Sequence, residues 1–237
     1  MEGTKNPRAL ESSDSGHREF SKILSISQGG KKMSNSDHPF ASPNPAGLMV
    51  LSFFLIGLFP LAIGIAPPTL ATVLVPLGFA AGLVQFAVGI IELRNGVIVG
   101  GNIMLGFSLF CFMGMWSDLL KPLHLMPANT APVTGYVYTA MAIYMICFTL
   151  PAFHKSLMNT IFMITTDIFF LGTGLGQLFG VPIFATIAAW SLVPIVISAM
   201  WQAIGEVLNT QFGRTVVNQG PPLLSNKVQR VNSLPVK

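Results

Sequence analysis

Six long stretches of apolar residues govern what this chain can become. They fall at 47–66, 69–92, 97–117, 133–152, 157–177 and 182–207, and Glu92, Asp167 and Glu206 are their only charged residues. About 20 predominantly apolar residues are needed to cross the hydrocarbon core of a bilayer as a helix. The stretches are too long for barrel strands and lack their alternation, so the sequence predicts an all-α membrane protein of six transmembrane helices. These stretches use more than half of the 237 residues and leave no room for a separate soluble core. Only 9% of the residues are charged, against about a quarter in a soluble domain.

A net charge of +4 would suggest a nucleic-acid partner in a soluble protein, but its distribution gives a different reading. Lys5, Arg8, Arg18, Lys22, Lys31 and Lys32 precede the first span, and Arg214, Lys227, Arg230 and Lys237 follow the sixth. Arg94 and Lys155 fall in even-numbered connections, whereas Lys121 alone lies in an opposite-side loop. The positive-inside rule then places both termini in the cytoplasm, with the protein in the plasma membrane and no nucleic-acid partner. Residues 1–43 and 219–237 read as disordered cytoplasmic tails flanking a six-helix transporter domain at 44–218. Met33 is an alternative start, and no secretory signal precedes the first span.

The connections are short. Pro67-Pro68 forces spans one and two into an antiparallel hairpin, and Arg94-Asn95-Gly96 reads as a turn. The longest connection, 118–132, carries Pro122, Pro127 and Pro132 and predicts a small cap. Gly172-Thr173-Gly174-Leu175-Gly176 lacks the lysine of a phosphate loop; such glycines in a membrane helix let a neighbour approach closely. Cys111 and Cys147 read as free thiols within spans. His124 and His154 have no partner at metal-ligand spacing, so neither a metal nor another cofactor is expected. No nucleophile–base set points to an enzyme.

Polar side chains within the spans are the candidates for chemistry: Gln85, Asn102, Thr165, Thr166, Asp167, Thr173, Gln177, Gln202 and Glu206. Hydrocarbon solvates none of them, so each should face protein or water. Asp167 reads either as a proton-coupling or pore residue or as a hydrogen bond to a neighbouring helix. Glu206 reads as an anchor that snorkels or pairs with Arg214 or Arg94. Glu92 reads as a solvated partner of Arg94.

Three blocks resemble the acetate uptake transporter family, the succinate–acetate permeases. The first is Asn44-Pro45-Ala46-Gly47-Leu48-Met49-Val50, at the start of span one. The second runs from Gly82 through Gln85 to Glu92 and continues into Arg94-Asn95-Gly96. The third and closest is Gly205-Glu206-Val207-Leu208-Asn209-Thr210-Gln211-Phe212-Gly213-Arg214-Thr215. The resemblance spans 44–218 and implies a six-helix protomer with its own pore, assembled as a ring of six. It also implies proton-linked uptake of small monocarboxylates, chiefly acetate and sometimes succinate.

By the same resemblance, Asn44, Pro45 and Ala46 mark the cytoplasmic mouth. Asn44 caps helix one, whose free amides either face a carboxylate or are simply capped. The family's constriction of Phe, Tyr and Leu falls on Phe53, Phe107 and Thr166, a wider and wetter combination here. Gly205, Glu206 and Asn209 belong to the closing motif. Transport needs either a co-transported proton or compensating donors such as Gln85, Asn102 and Thr166; proton symport is the expected scheme, and its rivals are a channel-like anion path and a non-transporting sensor or scaffold. An ammonium pathway lacks the expected aromatic and histidine residues.

Overall fold

The computed structural model describes residues 41–127 and 129–224. Residues 1–40 of the expected tail at 1–43, the alternative start at Met33 and residues 225–237 of the expected tail at 219–237 lie outside the described residues. Among the described residues six helices are long and apolar enough to cross a membrane: α1 (Asn44–Ala62), α2 (Leu74–Arg94), α3 (Ile98–Leu120), α4 (Ala131–Ala152), α5 (Leu157–Phe179) and α6 (Pro182–Phe212). A 3-10 turn, Pro68–Val73, runs directly into α2. All six are apolar around most of their circumference, as helices between protein and lipid must be.

The helix ends follow local chemistry. The first apolar run was expected to continue to 66, yet α1 stops at Ala62. Ala66 N–H closes back on the Pro60 carbonyl at 3.0 Å, and Pro67 disfavours helical geometry in the residue before it. After α2, Gly96 takes φ +78°, Val97 N–H bonds the Glu92 carbonyl and Gly96 N–H bonds the Leu93 carbonyl. This is the Schellman arrangement, which needs a residue comfortable in the left-handed region. The turn reading of Arg94-Asn95-Gly96 is therefore correct, while Glu92 is buried rather than solvated. Ser156 caps α5 by accepting from Asn159 N–H at 3.2 Å. The sixth helix passes its expected end at 207 and reaches Phe212; at 1.5 Å per residue its 31 residues extend about 46 Å, beyond a 30 Å core.

Each helix packs on its chain neighbours, and α6 also packs on α1, which closes the ring; α3 and α4 touch least. Small residues set the close approaches. A Cβ on Gly101 of α3 would lie 2.9 Å from the Gly89 carbonyl of α2, and one on Gly82 would lie 2.9 Å from the Phe112 ring. Gly172 and Gly176 abut Phe184, Ala185 and Ala188 of α6, while Gly174 abuts Thr139 of α4. The glycine run in span five is thus a two-sided packing surface, as the close-contact reading expects.

Inside the ring an aromatic cluster joins four helices. Phe110 of α3 meets Phe54 of α1 at 5.8 Å and Phe170 of α5 at 5.4 Å, mostly edge to face. Phe107 adds contacts to Phe162 at 5.7 Å and Phe170 at 6.3 Å, and Tyr138 of α4 closes the group against Phe110.

Candidate functional site

With six antiparallel helices, the start of α1 and the end of α6 share one face of the bundle, the termini face. A polar cavity of about 460 Å³ opens there between α1, α5 and α6, lined by Asn44, Lys155, Asn159, Gln202, Glu206 and Gln219 among others. Asn44 donates to Glu206 Oε2 at 2.8 Å and so ties the start of α1 to the end of α6. Gln202 donates to the Met158 carbonyl at 3.3 Å and to Ser198 at 3.1 Å. Glu92 lies close enough to Glu206 and Lys155 to interact with both electrostatically. Amide donors and one ammonium group at this mouth suit an anionic oxygen, and the carboxylates suit a proton.

A second cavity, of about 370 Å³, opens on the opposite face between α1, α3, α4 and α5. Its rim carries Ser117, Asp118, Lys121, Asn129 and Thr130. Deeper, Thr134 donates to Gln177 Oε1, and the floor is Phe54, Phe110 and Tyr138, the top of the aromatic cluster. The two cavities form vestibules on opposite faces of the bundle, and the aromatic cluster is an apolar plug beneath the second of them.

The residues expected to line the path do not gather there. Asn44 is at the termini-side mouth, but it is the first helical residue and Pro43 holds the cap position, so its amide serves Glu206 instead of capping. Pro45 and Ala46 turn away from the mouth into an apolar groove between α1 and α6. Phe53 lines the same groove and is 44% exposed; Phe54, at 1%, is the residue inside. One residue is 100° of helix rotation, which exchanges interior for exterior. Phe107 is buried in the plug as expected. Thr166 is buried too, but its hydroxyl donates to the Phe162 carbonyl of its own helix at 2.7 Å.

Gln85 is sealed between α1 and α2, where its amide donates to the Gly47 carbonyl at 2.9 Å and its Oε1 has no partner. Asn102 sits in the α3–α4 seam, bonded to Ile98 and facing the Tyr144 hydroxyl at 3.3 Å. Asp167 faces α4, accepting from Thr149 at 2.6 Å. These three are held by neighbouring helices and share no lumen.

The closing motif has a different use. Glu206 holds Asn44, and Asn209 clasps the chain beyond α6: its Oδ1 accepts from Val216 N–H at 2.6 Å and Val217 N–H at 2.9 Å. A Cβ on Gly205 would run into the Gln219 amide. The sequence reading ended the domain at 218, yet residues to Leu224 are hydrogen-bonded onto the bundle, with Leu224 N–H reaching the Phe153 carbonyl at 2.9 Å. Sequence reasoning missed Phe54, Lys155, Thr134 and Gln219 because loop position and helix phase, not residue type, bring them to the site.

The described residues define an all-α protein with six helices long and apolar enough to span a membrane, and with a cavity at each face. No family model matches the sequence, and no curated protein matches it. Among solved structures it is similar to that of the bacterial acetate channel SatP, with a TM-score of 0.70 and 24% identity, covering 76% of this chain and 99% of that one. At that identity the likeness is one of fold.

Proposed function

We propose that this protein carries small monocarboxylates, acetate first among them, across the plasma membrane along the axis of each protomer. The observation that carries the reading is the pair of polar vestibules on opposite faces, with an aromatic plug beneath one of them, within a fold like that of an acetate channel. The plug sets the chemistry. An ionised carboxylate loses its hydration in such a place at high cost, whereas a neutral acid does not. With a carboxyl pKa of about 4.3, roughly two parts per thousand are neutral at pH 7, and that fraction rises about tenfold for each unit of pH lowered.

The proton travels on the substrate in this reading, since Asp167 is engaged by the Thr149 hydroxyl of α4. The mouth amides and Lys155 collect the anion, and protonation precedes entry to the plug. Succinate, which needs two protons, passes more slowly. Arg94, Lys155 and Arg214 all belong to the termini face, which supports placing both termini in the cytoplasm. Assembly as a ring of six, implied by the family resemblance, leaves each protomer its own route.

The test is uptake of labelled acetate by proteoliposomes with and without an inward proton gradient. The expected result is uptake that the gradient drives above equilibrium. Flux indifferent to the gradient replaces symport with an anion channel. Protein that moves no labelled acid is a scaffold or sensor, and the reading falls.

A further inference from the structure

Residues beyond α6 do something that the axial route alone does not require. At Gly213 the chain turns with φ +62° and runs back along the termini face as far as Gly220, which has φ +77°. Between these two pivots hydrogen bonds fasten the segment to α5 and α6. Asn209 clasps Val216 and Val217, and its amide donates to the Val217 carbonyl at 2.9 Å. The Trp201 indole donates to the Asn218 carbonyl at 2.9 Å. Gln219 then reaches α5 and α6 together: its backbone carbonyl accepts from Met158 N–H at 3.1 Å, and its side-chain amide donates to the Trp201 carbonyl at 3.2 Å. Past Gly220, Leu224 N–H is fixed to Phe153 in the α4–α5 connection.

This segment borders the termini-side vestibule through Gln219, which lines it beside Lys155, Asn159 and Gln202. The fit is incomplete in one respect. Gln219 Oε1 is buried with no partner, an acceptor idle while the segment is down. Gly205 explains how the amide fits at all, since only a residue without a Cβ leaves room for it.

We propose that residues 214–220 are a strap that gates the vestibule, and that Gln219 is the residue through which the strap meets the carboxylic acid. With the strap down, Gln219 narrows the mouth. The idle Oε1 can accept the hydroxyl hydrogen of a protonated acid arriving or leaving, and the strap lifts about its glycine pivots to let it pass. Hydrogen bonds suit a segment that must open often, because water replaces them when it lifts. The inference rests on the proposed transport of carboxylic acids and adds its gate.

The experiment locks the strap in the full chain. Phe153→Cys and Leu224→Cys are introduced together with Cys111→Ser and Cys147→Ser, and the protein is reconstituted. Oxidation, with complete cross-linking verified by gel shift, should lower labelled acetate flux to about a tenth, and a reductant should restore it. Gly205→Ala, which displaces the Gln219 amide, and Gln219→Ala should each raise flux severalfold. A second readout needs no flux: acetate should lower the hydrogen-exchange protection of the Val216 and Val217 amides. Cross-linked protein that transports as fast as its reduced form overturns the strap as a gate, as does protection unchanged by acetate. Reduced protein silent toward every acid overturns the transport reading and the strap with it.

Discussion

Asp167 sits midway along α5, where an ionised carboxylate costs about 2.5–3.5 kcal/mol even on the mildest insertion scale. One Thr149 hydroxyl is its hydrogen-bond partner, and its Oδ1 is buried without one. A proton carrier on the route would need to exchange with both vestibules; this side chain instead faces α4. Asp167→Asn keeps the shape and an acceptor for Thr149 while removing the titration. The expected outcome is acetate uptake within about twofold of the parent, with an unchanged pH profile. A flattened profile in proteoliposome uptake between pH 5 and 8 would return Asp167 to the mechanism. Gln85 follows the same logic. Burial and an idle acceptor are properties of a helix contact as well as of a pore, and only the identity of the neighbours separates them.

Helices α2 and α3 are held by glycines placed so that each backbone meets the other. A Cβ at Gly101 would stand 2.6 Å from Leu93 Cγ and 2.9 Å from the Gly89 carbonyl; the leucine can turn aside, but the carbonyl cannot. Gly101→Val should therefore separate the pair at a cost of about 1–3 kcal/mol, seen as a lower unfolding temperature in detergent. Gly114→Ala, whose Cβ would approach only the Phe54 ring at 3.3 Å, should cost far less. Equal losses would show that helix spacing is not set by these glycines. At this scale much was legible in the sequence. Every span was found, with ends displaced by a few residues where Pro67 cut α1 short or where α6 continued into water. Helix phase was not legible. A helix that is apolar all round carries no stripe to mark its inner face, so Phe53 stood in for Phe54 and Asn102 was assigned to a lumen it does not face. The strap was hidden because fold-back hydrogen bonds depend on Asn209 and Trp201 meeting residues whose own sequence looks like a polar tail.

For the molecule as a whole, the proposed transport makes the closed ring and its aromatic centre the part that determines which solutes pass. Both cavities are large enough for an acid of two to four carbons, so the discriminating step falls at the plug. Phe110 is its hub, with rings from α1, α4 and α5 around it at 5.4–6.3 Å. Phe110→Leu keeps the centre apolar and filled enough to fold while removing the ring on which the others rest. An apolar constriction rejects a larger solute by size and a charged one by desolvation, and this change relaxes only the first. Propionate and lactate uptake should rise severalfold relative to acetate, while the dependence on pH stays as it was. A change in pH dependence without a change in size preference would mean that the plug acts on charge rather than on size. An unchanged ratio of the three acids would place the selective barrier in one of the vestibules, and the termini-side mouth under the strap would be the first place to look for it.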